Sequence, residues 1–242
     1  MMGAALLATR ACLRSGVGLV TVLSEKEERA IVQTGAPEAL YTWQLPERGY
    51  QAIGAGSGWG TDDDKAELLE ILLQRPEPLI LDADALNLIA RRQWVDRLPK
   101  GTVITPHEKE FDRLFGQHAS REDRIATALN EAEQRHIVIL LKGHETFVCA
   151  DQQRSSLNTT GNAGMATGGC GDVLTGIITA LRCRGLVAFD AACLGAWIHG
   201  KSGDFAAKTL GMDCLIAEDL ITYLPHAFKE LNIPSSSIPK AW

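Results

Sequence analysis

No run of apolar residues in this 242-residue chain approaches the roughly 20 needed for a bilayer-spanning helix. A membrane-embedded protein is therefore not expected. Lysine and arginine nowhere cluster, and the formal charge is −6 at pH 7. Binding to nucleic acid or to an acidic membrane surface is disfavoured on that ground. The six cysteines, at positions 12, 149, 170, 183, 193 and 214, form no C-x-x-C pair. That spacing suggests neither a zinc site nor a disulfide framework and points to a reducing, cytoplasmic setting. The pattern G-x-x-x-x-G-K-[ST] does not occur, so a P-loop nucleotide site is excluded as a motif. Internal repeats and low-complexity tracts are absent too. What is present, with 45% hydrophobic residues, suits one sizeable globular domain spanning 1–242.

Short apolar runs alternate with helical patterns along the chain. Strands are expected at 19–23, 51–55, 78–82, 102–105, 137–141 and 146–150. Helices are expected near 62–74, 84–91, 107–115, 121–134, 172–184, 189–209 and 216–230. This alternation implies an α/β protein whose central, mainly parallel sheet is covered by helices on both faces. At the N-terminus Ala4, Leu7, Ala8, Ala11 and Cys12 mark one helix face, followed by Gly16, Gly18 and the first strand. Arg10 and Arg14, with no acid nearby, superficially resemble a leader, but helix, turn and strand are domain material. A helix as first element suggests a missing strand upstream. The tail over 232–242 is expected to fray.

Ligands of such sheets bind beyond the carboxyl ends of the strands, and those ends are rich in glycine and polar residues. The most informative stretch is 162–176, with five glycines in fifteen residues. It can turn sharply and approach a ligand closely. Val173, Leu174, Ile177, Ile178 and Leu181 follow at helical spacing, so the glycines lead into a helix N-terminus, which favours an anion. Asp172 lies at that junction. It either caps the helix or sits beside the anion because it has a proton to take.

Other segments carry two readings each. Gly54 to Gly60 is spaced G-x-G-x-G-x-G and serves as a tight turn or as a backbone surface under a ligand. His107, after Pro106, is an ordinary helix-start residue or a ligand contact. Lys142-Gly143-His144-Glu145-Thr146 is a hairpin turn or a nucleotide site with Lys142 near phosphate. Asp82 and Asp84 are a weak metal pair, and Asp84 is expected to cap the following helix. His199 reads as a hydrogen-bonded core histidine. Cys170 has the position of an acidified thiol, but no partner histidine is evident in sequence and it is not read as a nucleophile. His118, His136 and His226 read as solvated.

Taken together, Ile104-Thr105-Pro106-His107-Glu108-Lys109-Glu110-Phe111, Leu141-Lys142-Gly143 and, above all, Gly161 through Gly176 resemble the ADP-dependent NAD(P)H-hydrate dehydratases. Weaker matches are Gly3 to Ala8, Arg14 to Val20, Gly56 to Gly60 and Leu81 to Asn87, so the likeness runs in order from residue 3 to about 225. It implies a ribokinase-like, three-layer α/β/α fold and a cofactor-repair lyase. In that chemistry ADP phosphorylates the hydroxyl of the S-form of NAD(P)H hydrate, and phosphate then leaves to restore NAD(P)H, with AMP as the other product. The resemblance implies that Asp172 activates the hydroxyl. Gly168, Gly169, Cys170 and Gly171 would hold phosphate. Ala4, Gly58, His107 and Asp172 would touch the hydrated cofactor, and Lys142, Gly143, His144, Glu145, Thr146 and Gly171 the adenine nucleotide.

Magnesium is expected with phosphoryl transfer, with no ligands assigned. Alanine- and leucine-rich helices at both ends suggest a homo-oligomer, a tetramer among its forms. Relative to the family pattern, an upstream strand and glycine turn are absent, Cys170 stands where Ser is common, and epimerisation of the other hydrate would fall to a separate protein. Three rivals remain. A small-molecule kinase of the same fold would share Asp172 and the anion loop. A nucleotide-sensing module would bind without turnover. A nicotinamide oxidoreductase is disfavoured by the spacing at 54–60.

Overall fold

A computed structural model describes residues 1–47 and 49–231; the expected fraying of 232–242 lies outside them. The chain opens with α1 (Met2–Arg14), followed by β1 (Thr21–Leu23), α2 (Arg29–Gly35) and β2 (Leu40–Thr42). β1 and β2 pair in parallel as a small separate sheet around Val22, Val32, Ala36 and Ala39. The main sheet alternates with helices: β3 (Ile53–Ala55), α3 (Asp63–Leu73), β4 (Leu79–Leu81), α4 (Ala83–Arg92), β5 (Val103–Ile104), α5 (Glu108–Phe115), α6 (Arg121–Arg135) and β6 (Val138–Leu141). The hairpin β7 (Thr146–Cys149) and β8 (Ser155–Asn158) precedes α7 (Cys170–Cys183), α8 (Ala188–Leu210) and α9 (Ala217–Glu230).

The six strands lie in the order β3-β4-β5-β6-β7-β8, parallel up to β6 and antiparallel beyond it. The pleat sends alternate residues to opposite faces, and each face has its own core. Ile80, Val103, Val138, Leu140 and Val148 meet α7, α8 and α9 on one side. Leu79, Leu81, Ile104, Ile139 and Leu141 meet α3 to α6 on the other. This is the expected three-layer arrangement. Among the described residues no helix is long and apolar enough to cross a membrane.

Local chemistry explains several boundaries. Asp62 and Ser120 cap α3 and α6 by accepting from Lys65 and Asp123 amides. Gln93 and His136 end α4 and α6 in the left-handed region. The short elements α2, β2 and β8 were not anticipated from the sequence. β8 alternates exposed and half-buried positions at a sheet edge, so no run of apolar residues announces it.

Candidate active site

The site begins at the first turn of α7, which starts two residues earlier than the pattern 172–184 predicts. Gly169 is the N-cap residue at φ +94°, where an L side chain is strained. Space demands glycine as well, because a Cβ there would lie 2.5 Å from Leu7 Cδ1 and 2.9 Å from Ala217 Cβ. No side-chain hydrogen bond caps this helix among the described residues. The amides of Cys170, Gly171 and Asp172, in its first turn, therefore have no intrahelical acceptor, and the positive end of the dipole backs them.

Asp172 occupies the third helical position and is not the cap residue, so the capping alternative is not what the helix shows. Burial pushes its carboxyl above the ordinary value, and the neighbouring Asp82 and Asp84 charges add to that; the Ser57 hydroxyl and Lys142 pull the other way. Ser57 Oγ is itself buried and makes no hydrogen bond of good geometry. Its influence on Asp172 is therefore that of a nearby dipole. A desolvated carboxylate with a raised pKa is a better base than a solvated one.

The turn after β4 supplies the next layer. Asp82 is buried, its side chain 2% exposed, and accepts from Lys142 Nζ at 2.7 Å and from Thr175 Oγ1 at 2.9 Å. A Cβ on Gly171 would be 3.4 Å from Lys142 Nζ, so the ammonium sits beside the start of α7. Ala83 adopts φ +47°, a costly conformation for a residue with a Cβ, placed between two site carboxylates. Asp84 is not a cap. It lies in the first turn of α4, and its Oδ2 accepts from the Gly60 amide at 2.8 Å, pinning the glycine run to the site. That run stays close to β4 because Gly56, at φ +117°, leaves room for the Asp82 carbonyl, which a Cβ would overlap at 1.8 Å.

His107 ends the turn after β5. Its Nδ1 accepts from the Lys109 and Glu110 amides while Glu110 accepts from the His107 amide, a reciprocal capping box. The helix-start reading is thus correct, and its ring stays half-exposed above it. Glu110 is buried and lies 3.9 Å from Lys142 Nζ, which couples the two strand ends. Ala4 and Gly58 also meet: a Cβ on Gly58 would be 3.0 Å from Ala4 Cβ. The Met1 ammonium donates to the Gly58 carbonyl.

The segment 142–145 is the turn between β6 and β7, as its plainer reading requires. Gly143, His144 and Glu145 are exposed, and Thr146 opens β7. Arg121 lies across this turn, donating to the Glu145 carbonyl, and a Cβ on Gly143 would overlap its guanidinium.

Gly168 has open space where a Cβ would be, and Asn162, upstream, is anchored to Asp204 of α8. His199 is the core histidine expected, with Nε2 2.9 Å from the Cys170 carbonyl; burial pushes it down to about 4, which leaves it neutral. Cys170 is no nucleophile, as read: burial pushes the thiol up to about 11, the Asp172 charge adds to that, and a hydrogen bond with the Thr167 backbone only partly opposes it. His118 is corrected: it is largely buried between Asp112 and Thr127. The exposed His136 and His226 are as read. Glu110 is the first-turn acid that the sequence suggests, whereas neither Thr175 nor Arg121 stands out in the sequence as a site residue. The spacings Gly171 to Thr175 and His107 to Glu110, one helical turn each, were the available signals.

Among the described residues no three acidic, histidine or cysteine side chains gather as a metal site. Asp82 and Asp84 are engaged by Lys142, Thr175 and the Gly60 amide. A family model described as NAD(P)H-hydrate dehydratase matches residues 1–226. A bifunctional NAD(P)H-hydrate repair enzyme of Moorella thermoacetica is 37% identical over 96% of this chain and 48% of its own length. An ADP-dependent (S)-NAD(P)H-hydrate dehydratase of Neisseria meningitidis is 34% identical over 88% of this chain and 75% of its own. The chain spans about half the length of the bifunctional relatives it matches. Among solved structures, an ADP/ATP-dependent NAD(P)H-hydrate dehydratase from Bacillus subtilis, co-crystallized with ATP/Mg2+, superposes with a TM-score of 0.84 at 29% identity, covering 95% of this chain and 85% of that one. A ribokinase-like superfamily protein from Enterococcus faecalis gives 0.76 at 30% identity, covering 93% and 83%, which bears out the fold. This chain belongs to the NAD(P)H-hydrate dehydratase family.

Proposed function

We propose that this chain repairs damaged cofactor by dehydrating the S-form of NADH or NADPH hydrate at the expense of ADP, in the cytoplasm. The observation that carries the reading is the pairing of Asp172, a carboxyl raised by burial, with the uncapped amides of Cys170 and Gly171 beside Lys142. Hydroxide is a poor leaving group and phosphate a good one. Asp172 takes the proton of the substrate hydroxyl as its oxygen attacks the terminal phosphorus of ADP. The P–O bond to the α-phosphate breaks, and AMP leaves. The α7 amides and the Lys142 ammonium stabilise charge on the transferring group. The ring-nitrogen lone pair then expels phosphate by breaking the C–O bond, and loss of a ring proton from the adjacent carbon restores the dihydronicotinamide.

Ala4, Gly58 and His107 line the cofactor side in this reading. Gly168 to Gly171 cradle phosphate, and Lys142, Gly143, His144, Glu145 and Thr146 border the nucleotide. Magnesium would arrive on the nucleotide phosphates, since the carboxylates at hand are already engaged. The test is to mix the protein with hydrated NADPH and ADP. Recovery of dihydronicotinamide absorbance with stoichiometric AMP is expected. A stable phosphoester without that recovery would instead indicate a kinase.

A further inference from the structure

An open surface cavity of about 390 Å³ is lined by Thr61, Asn87, Ala90, Arg91 and Arg113. Its lining offers two guanidinium groups, a hydroxyl and an amide, and no carboxylate. Arg113 Nη1 donates to Asn87 Oδ1 at 2.8 Å, which steadies the guanidinium while leaving its remaining N–H groups available. Arg91 is only 3.7 Å from Asp63, an exposed carboxylate held more closely by Arg92.

Helix registers tie this cavity to the chemistry. On α4, Asp84, Asn87 and Arg91 stand at i, i+3 and i+7, one stripe of the helix. Asp84 holds the Gly60 amide, and Thr61 follows directly. On α5, His107, Glu110 and Arg113 recur every three residues from the N-cap. Seven residues of helix advance about 10 Å and six about 9 Å, so each stripe starts at a residue of the site and ends in an arginine one helix-length step away. A nicotinamide ring seated by His107 and Asp172 must send the rest of its dinucleotide out of the site. That remainder carries two bridging phosphates and, in NADPH, a third on the adenosine ribose.

We propose that Arg91 and Arg113, supported by Thr61 and Asn87, form a phosphate subsite for the remote half of the dinucleotide. The proposal rests on the dehydratase reading. Arginine suits it because its planar fork matches phosphate oxygens two at a time.

The experiment titrates NADPH and NADH, followed by dihydronicotinamide fluorescence, into the wild-type chain, an Arg91→Ala/Arg113→Ala double variant and Arg92→Ala. The last removes one positive charge, half of what the double variant removes, at a residue of the same helix as Arg91 that does not line the cavity, so it gauges the part of any loss that charge near the cavity explains without a direct contact. The double variant is expected to weaken NADPH binding about 10–100-fold and to raise KM for hydrated NADPH in parallel, with KM for ADP unmoved. An equal loss for NADH assigns the subsite to the bridging diphosphate, and a loss confined to NADPH assigns it to the ribose phosphate. Changes under about twofold for both dinucleotides, or an Arg92→Ala variant as impaired as the double one, would overturn it. A wild-type chain that binds NADPH through these arginines yet leaves its hydrate unchanged would sink the dehydratase reading and keep the subsite. One that shows neither binding nor turnover would sink both.

Discussion

The two walls of the site are built differently. One is the start of α7 with the turn after β4: Gly169 has no room for a side chain, Asp82 is buried between Lys142 and Thr175, and Asp172 is partly desolvated. The other is the turn 142–145, where Gly143, His144 and Glu145 face solvent and Arg121 drapes across the backbone. Groups that stabilise developing charge must be held before the reaction, because reorganising them costs activation energy. Groups that admit and release a nucleotide need freedom to move. On the proposed function, the contrast fits chemistry at the first wall and nucleotide exchange at the second.

The sharpest way to break this division is Asp172→Asn. Turnover should fall by a factor of about 10²–10⁴, the loss expected for a general base, while ADP binding persists. Stability should not fall with it. A carboxylate whose folded pKa lies above its unfolded value penalises the fold at neutral pH, and the penalty fades as pH drops below both values. Urea denaturation should therefore find the variant at least as stable as wild type, and equal activity would remove Asp172 from the mechanism. The same raised pKa predicts an acid limb in kcat/KM above the ordinary aspartate range, as protonation removes the base. Asp82→Asn, which deletes the largest neighbouring negative charge, should move that limb to lower pH.

Next in size is Asp82→Ala, which leaves Lys142 without its closest partner. A broken buried pair costs about 3–5 kcal/mol, and the low end applies because Lys142 is 21% exposed and has Glu110 at 3.9 Å. Gly169→Ala should cost about 2–4 kcal/mol, from left-handed strain and from overpacking against Leu7 and Ala217. Denaturant midpoints check both, and a midpoint unchanged in Gly169→Ala would show the first wall to be softer than its geometry implies.

Much of the first wall was legible because its demands are local. Glycines at a helix start and one acid among them are written in consecutive residues, and the family likeness rests on the same stretch. The strand ends were legible for a similar reason, since each apolar run stops at a polar or glycine cluster. What stayed hidden is what only packing decides. Asp82 looked like half of a metal pair until Lys142, 60 residues away, claimed it. Asp84 looked like a cap until the Gly60 amide claimed it. Cys170 has the sequence position of a reactive thiol and the burial of an inert one. Edge strands as short as β2 and β8 carry too little apolar pattern to announce themselves.

The smallest effects belong to the second wall and test the division from its other side. Gly143→Ala would drive a Cβ to within 2.3 Å of Arg121 Nη1. That atom ends a flexible side chain, so Arg121 should swing aside at little cost in stability, and KM for ADP should change by more than kcat. Glu145→Ala should do less still. Its side chain is exposed, and its carbonyl accepts from Arg121, a contact that the substitution keeps. Stability should stay within about 0.5 kcal/mol of wild type, and KM for ADP should shift by less than about threefold. A fall in kcat as steep as that of Asp172→Asn would place a chemical role on the exposed turn. The division between a fixed wall for chemistry and a loose one for exchange would then fail, because an exposed carboxylate in water, screened and mobile, cannot hold its geometry ahead of the reaction.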